Sequence, residues 1–326
     1  MSKRYNKKKG DLPEKMDIKD LLYKKWASEK DSAAIERFLD ETSPKSDNEL
    51  KEILEGFYTN KSKYALKREL TPAEKAQNLM YDAWAEPDKK KRIKMAKKAL
   101  EISQDCPDAY YLLAEYSDDV KEAEAFFEKG VKAGERLLGE DFIKSKEGNF
   151  WKIVRTRPYM RALFGYANAL SFQGKREEAI KVYQRMLTLN PSDNQGARYQ
   201  LLIELMRAGM KDKVEELFKK YEDEGAPDWL YNKALWNYIV NGDTPDSEKL
   251  LEDALNSNPY FIVYMAGIKK LPRTIPKNIN NAKESEAVSY IYSTYDIWNN
   301  AKGAWEWLLK TSSNILNEKY GKDVKH

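Results

Sequence analysis

Few side chains in this sequence can do covalent chemistry. It contains one cysteine, Cys106, and one histidine, His326, the last residue. A lone cysteine forms no intramolecular disulfide and no cysteine-based zinc site. A serine nucleophile would have only a terminal histidine to serve as its base. The phosphate-cradling G-x-x-x-x-G-K-[ST] loop, the H-E-x-x-H zinc pair and the EF-hand calcium loop are absent. What remains is carboxylate chemistry at Glu177-Glu178 and Glu215-Glu216. Each pair opens a predicted helix, where acids complement the helix dipole and face water. A catalytic acid needs burial or a charged neighbour to shift its pKa. These residues predict a non-enzymatic chain that uses no cofactor and no metal.

Recognition chemistry is better supplied, and a repeat must position it. Windows starting at Met160, Asn194 and Asp228 follow one another at 34 residues. In the first, Leu163, Tyr166, Ala167 and Leu170 make one apolar helical face, Gly174 interrupts it, Ala179, Ile180, Tyr183 and Leu187 make a second, and Pro191 closes the pair. The third window repeats the plan with Gly242 and Pro259, each 68 residues beyond its counterpart. The middle window is degenerate: Lys213 stands at the small-residue position and Gly209 comes one place late. Gly at the turn supplies a positive φ at low cost. Ala179 lets two helices approach, and Pro ends the second helix for want of an amide proton. Asp108 and Asp228 are expected to cap the helices that follow them. This is a tetratricopeptide-type helix–turn–helix pattern. With no strand-period alternation it predicts an all-α, right-handed α-solenoid with divergent terminal helices.

The predicted organisation is a basic disordered tail over 1–15, N-terminal helices over 16–70 and divergent repeat-like pairs over 71–138. An insertion loop over 139–158 follows, then three repeats over 159–259 and capping helices over 260–320. In such repeats the first helix of each pair lines the concave surface. The corresponding positions place Arg161 and Asn168, then Gln195 and Arg198, then Trp229, Asn232 and Trp236 in a groove, together with Phe164 and Phe172. Arg157 joins them if its helix starts early. Aromatic side chains offer pockets, amides bond both peptide NH and CO, and guanidinium groups clasp carboxylates. The alternative for Trp229, Trp236 and Phe172 is interhelix core, since one residue of phase error rotates a position by about 100°. The three arginines are expected to converge, balanced by an internal acid such as Glu204 or by a partner's carboxylate.

Two stretches resemble known families. FWKIVRTRPYMRALFGYANAL (150–170) with LNPSDNQGARYQLL (189–202) resembles a family of mostly bacterial tetratricopeptide proteins. DCPDAYYLLAE (105–115), with the following EAEAFFEKGVKAGER, is similar to the related suppressor-of-tumorigenicity protein family. The resemblance covers roughly residues 75 to 310. It implies a helical-repeat fold and an interaction role, with no established enzymatic activity. A Cys/His metal-binding tail carried by some bacterial relatives does not transfer to a chain ending GKDVKH, and the missing apolar span argues against the membrane association that the animal relatives imply.

Composition agrees. The chain has 326 residues, 41% hydrophobic and 34% charged, with 15 Gly and 12 Pro, as a folded helical protein requires. Basic and acidic residues number 57 and 53, and a net charge of +4 offers no global field for nucleic acid. The start MSKRYNKKKG is followed by Asp11, Pro13 and Glu14, not by the apolar run of a secretory signal. The expectation is a cytoplasmic protein–protein interaction module with a peptide or protein partner in its groove. The alternatives are a peptide-sensing regulatory repeat protein and an RNA- or ribosome-associated factor using the basic tail.

Overall fold

A computed structural model describes residues 18–57, 60–64, 66–276, 279–280 and 283–320, the side chains of 18–28, 61–62 and 314–320 aside. The basic tail lies outside these residues. Among the described residues there are sixteen α-helices and no strand. The fold is all-α and of the helical-repeat, solenoid class that the 34-residue period implies. It forms two compact units, Met1–Lys175 with Arg185–Asn194, and Arg176–Gln184 with Gln195–His326.

The first unit contains α1 (Ile18–Thr42), α2 (Asp47–Phe57), α3 (Pro72–Ala85), α4 (Lys89–Ile102), α5 (Pro107–Glu115), α6 (Val120–Leu138), α7 (Glu140–Ser145) and α8 (Arg157–Phe172). Its local signals are strong. Thr71 and Glu74 form a capping box at α3, and Asp88 and Asp119 cap α4 and α6 through the backbone N–H groups of Lys91 and Glu122. Around α6 the helices approach closely because glycine faces the neighbour. A Cβ at Gly134 would stand 2.9 Å from Tyr159 Cβ and 2.4 Å from its ring, and one at Gly165 would stand 2.2 Å from the Phe127 ring. The stretch 139–158 is no open loop. It carries α7 and two short 3-10 turns, Phe150–Lys152 and Val154–Thr156, whose Phe150 and Val154 are buried. Phe150 packs on Tyr159, with ring centroids 6.2 Å apart, and Thr156 Oγ1 donates to the Ile153 carbonyl at 2.7 Å. Apolar side chains in the insertion thus fold it onto its own unit.

Between α8 and α9 (Arg176–Leu189) the chain turns at Gly174, with φ +74°, and Lys175 N–H reaches back to the Leu170 carbonyl at 2.9 Å. Gly242 takes the same left-handed role at φ +78°. Ala179 is fully buried, as its place in the repeat demands.

The second unit contains α10 (Ala197–Arg207), α11 (Lys211–Lys220), α12 (Pro227–Asn241), α13 (Pro245–Ser257), α14 (Tyr260–Met265), α15 (Glu284–Asn300) and α16 (Ala304–Tyr320). Helices α10 and α11, and α12 and α13, pack as hairpins. Helix α15 packs on α10 and α12, and α16 on α12 and α13. Trp298 and Trp307 are buried there, with Trp305 stacked 5.5 Å from Trp298.

Gly134 tests the close approach. Alanine gains about 1 kcal/mol of helix propensity over glycine, but overpacking beside the buried Tyr159 costs about 1–3 kcal/mol. Gly134→Ala is expected to lower stability in urea unfolding. Gly225→Ala, with nothing within 4 Å of the new Cβ, is expected to leave it unchanged or raise it. Equal midpoints for Gly134→Ala and the parent would refute the packing.

Candidate functional site

The site built from sequence divides into three environments. The first is a buried ionic cluster in the first unit. Arg161, one turn into α8, donates from Nε to Asp108 Oδ1 at 2.8 Å and from Nη2 to Asp108 Oδ2 at 2.7 Å. Its other edge reaches Glu29 of α1, from Nη1 at 3.2 Å and Nη2 at 2.9 Å. Gln77 of α3 donates to Asp108 Oδ2 at 2.6 Å. Arg157 Nη1 stands 3.9 Å from Glu29, and its Nε donates to the Trp151 carbonyl at 3.1 Å while its guanidinium lies over the Trp151 ring. Asp108 therefore does not cap α5. Pro107 is the first residue of that helix, so Asp108 falls one place inside it and its fully buried carboxylate turns to Arg161. Burial by itself lowers the Arg161 pKa, but the charges and hydrogen bonds of Asp108 and Glu29 outweigh it and push the pKa up. Cys106, at the same helix start, has its thiol raised to about 12, by burial first and by Asp108 second. Such a thiol is inert.

The second environment is the start of α10. Arg198 Nε donates to Glu224 Oε2 at 3.0 Å, its Nη2 pairs with the same oxygen, and Nη2 reaches Tyr199 Oη at 2.9 Å. Its guanidinium lies over the Tyr199 and Tyr221 rings at 4.4 and 5.3 Å. Gln195 is half-buried just before the helix. The expected three-arginine clasp is corrected by these contacts. Arg161 belongs to the first unit and Arg198 to the second, and each is neutralised by acids of its own unit. Glu204, the acid proposed to balance them, is buried between Arg176 and Arg207, at 3.2 and 2.7 Å.

The third environment is the face of α12. Trp229 is only 1% exposed, ringed by Tyr199, Phe218 and Tyr221 at 5.8, 5.3 and 6.1 Å. Asn232 is equally buried and accepts from Tyr290 Oη at 3.0 Å, and Tyr290 Oη accepts from Trp298 Nε1 at 3.1 Å. Trp236 is buried as well. These three residues are core, not groove: the rings of Tyr199, Phe218 and Tyr221 enclose Trp229, and α15 meets Asn232 through Tyr290. Arg207 fixes α15 there: it donates twice to Asp296 at 2.8 Å and once to the Ser293 carbonyl at 2.7 Å. Asp228, expected as a cap, is instead the second residue of α12, after Pro227. Its pKa is pushed up to about 6, by burial first and by the charge of Glu286 on α15 second, against the 2.9 Å bond from Trp229 N–H.

The face left open is that of α8. Phe172 is 78% exposed, and Asn168, one turn earlier, is exposed too. Among the described residues no group of three or more His, Cys, Asp or Glu is placed to hold a metal ion. No described helix is long and apolar enough to cross a membrane.

Arg161→Ala leaves Glu29 and Asp108 buried without their cation, and is expected to cost about 3–5 kcal/mol in chemical unfolding. A variant as stable as the parent would show that the cluster does not hold the unit. For Asp228 the folded pKa lies above the unfolded value, so its stabilising contribution is full below about pH 4 and is lost as pH rises through about 6. Asp228→Asn is expected to stabilise the chain by about 1–3 kcal/mol at pH 7.5, with the gain shrinking towards pH 4. An equal gain at both pH values would refute the assignment.

Comparison with known proteins places this geometry in a family. The family model of the ST7 protein matches residues 65–228. The suppressor of tumorigenicity 7 protein-like of Bos taurus is 26% identical over 255 residues, covering 70% of this chain and 45% of the relative. The ST7 homolog of Drosophila melanogaster is 26% identical over 253 residues, covering 69% and 46%. The chain spans about half the length of the curated relatives it matches. These are animal proteins, and the narrower bacterial grouping is not supported by them. Among solved structures, YrrB, a tetratricopeptide protein with an unusual peptide-binding site, aligns with a TM-score of 0.43 at 20% identity, over 66% of this chain and 96% of its own. With a single family model covering half of its length, the chain belongs to the ST7 protein family.

Proposed function

We propose that the chain is a non-enzymatic protein–protein interaction module, cytoplasmic and without cofactor, that takes a peptide or protein partner on the open face of α8. The observation that carries this reading is the strip Phe164, Asn168 and Phe172, each four residues after the last, with its amide and its final aromatic ring exposed. An aromatic side chain can anchor in a partner's pocket. A neighbouring amide can donate to a peptide carbonyl and accept from a peptide N–H. In this reading the expected groove contracts to one helix, with Asn168 on it, while Arg161 is taken up by Asp108 and Glu29 and Trp229, Asn232 and Trp236 are buried.

A second reading, peptide-sensing regulation, is favoured by α15. The chain lays its own helix across the first-helix face of α10 and α12, where a partner would lie in an uncovered repeat.

Pull-down from the native cell supplies the partner, and titration of purified chain with that partner tests the face. Phe172→Ser and Asn168→Ala are each expected to weaken binding by about 1–3 kcal/mol with the circular dichroism of the parent. Wild-type affinity in both variants would overturn the proposal.

A further inference from the structure

We propose that the outward face of α4 is a docking surface for double-stranded DNA, held through its phosphates and without regard to sequence. Lys90, Lys91, Lys94, Lys97 and Lys98 are all exposed on this helix. At 3.6 residues per turn they fall within an arc of about 120°, over a length of about 12 Å. The opposite side of α4 is committed to the core of the first unit. Ala96 and Ala99 are buried there, and Ile93, Met95 and Leu100 pack in the same cluster as Met80, Trp84 and Leu112. The core thus fixes the side of the helix on which the lysines stand.

Neighbouring acids do not neutralise this array. Arg92 is drawn inward, donating to the Tyr116 hydroxyl at 3.0 Å and to the Glu86 carbonyl, and Lys89 lies over the Tyr116 ring at 4.8 Å. Among the described residues, the five lysines form no ion pair with an acid. Asp88 and Glu101 stand only at the two ends of the helix. The order of charge also opposes the helix dipole. The first turn of α4 holds Lys89, Lys90, Lys91 and Arg92 and no acid, while its last turn holds Glu101 and no base. Helices α3 and α6 carry Glu74 and Glu122 in their first turns, as the dipole favours. A merely solvated face gains from acids first and bases last. Helix α4 has the reverse order, and so adds the positive end of its dipole to the charge of its lysines.

Shape and charge density select the polyanion. Lys90 and Lys97 form one edge of the arc and Lys91 and Lys98 the other, with Lys94 between them. A helix with its side chains is about 10–12 Å across, close to the width of about 12 Å of the major groove of B-form DNA. Laid along that groove, each edge of the array meets one of the two phosphate rows. The duplex supplies one negative charge per about 1.7 Å of its axis, dense enough to engage all five lysines. An extended acidic peptide turns alternate side chains away and offers one charge per about 6.6 Å on a face. The five exposed lysines bring no amide or aromatic ring with which to read a base edge, so their contacts position the duplex without reading it.

Fluorescence anisotropy of the full chain with a labelled DNA duplex of about 20 base pairs, in about 50 to 200 mM salt, tests the surface. The parent is expected to bind at the lower salt and to lose affinity steeply as salt rises, because each lysine–phosphate contact releases a counterion. Lys90→Gln, Lys94→Gln and Lys98→Gln combined are expected to weaken binding at least about tenfold at the lower salt. The slope of log affinity against log salt is expected to fall by about 2 to 3. Bases near the N-terminus attract DNA as well, so a control carries Lys181→Gln, Lys213→Gln and Lys219→Gln, which remove the same charge from exposed positions elsewhere. The control is expected to bind within about twofold of the parent. All six positions are exposed, and circular dichroism checks that the fold is kept. No binding by the parent, no loss in the α4 variant, or an equal loss in the control would each overturn the proposal. So would tighter binding of poly-glutamate than of the duplex, which would make the partner an acidic protein. An RNA duplex of matching sequence, whose major groove is deep and narrow, is expected to bind more weakly. Equal or tighter binding of that RNA would overturn the assignment to DNA.

Discussion

The first unit is organised by one guanidinium. Arg161 of α8 holds two carboxylates, Asp108 of α5 and Glu29 of α1, with four hydrogen bonds, and Gln77 of α3 completes Asp108. Bringing three such charges out of water is expensive, and their attraction offsets that cost only when the geometry satisfies every lone pair. The cluster alone would carry one excess negative charge. Arg157, one helical turn before Arg161 and 3.9 Å from Glu29, brings the balance to two and two. Its value lies in position more than in net stability. Apolar helices can slide by a turn and still bury their stripes, whereas a double fork cannot. Four helices far apart in sequence are thereby held in one register.

The same repeat positions have different fates in the two units because different elements lie over them. At the start of α8, α1 and α5 supply acids, and the first-helix face becomes an ionic core. At its end Phe172 is exposed among the described residues. On α10 and α12 the cover is α15, fixed by Arg207 to Asp296 and Ser293 and by the chain of hydrogen bonds from Trp298 through Tyr290 to Asn232. The first-helix face of α10 and α12 is thus covered by a helix of the protein itself. Asp228 records the cost. The arrival of α15 brings Glu286 close to an acid already short of water.

What was legible in the sequence was local. Gly174 and Gly242 announce their turns because positive φ is a property of the backbone at that residue, and Ala179 announces its burial because a small residue there lets the two helices of its pair approach. Asp108 was legible as a helix start but not as a charge partner: Pro107 takes the first helical position and moves the acid inside by one residue. Glu29 stands 132 residues from Arg161, and no spacing signals such a pair. The choice between groove and core for Trp229 turned on Tyr199, Phe218 and Tyr221, whose rings enclose it and whose placement is a tertiary fact. The insertion 139–158 read as a loop because its apolar residues follow no single period, although Phe150 and Val154 are buried all the same.

Helix α1 links the ionic cluster to a cavity of the first unit. Glu29, Ala33, Glu36 and Arg37 follow at intervals of four, three and one, so they share a side of that helix. Glu29 turns to Arg161, while Ala33, Glu36 and Arg37 line the cavity. Gln77 and Tyr81 of α3 connect the two regions as well: both line the cavity, and Gln77 also donates to Asp108. The double fork of Arg161 therefore sets the distance between α1 and α3, and with it the width of the cavity wall that carries Arg37. Arg37, next to Glu36 on that side, is held with its Nε buried and its Nη2 at 3.4 Å from Asn78 Oδ1, because α1 cannot slide by a turn without breaking the bonds from Arg161 to Glu29.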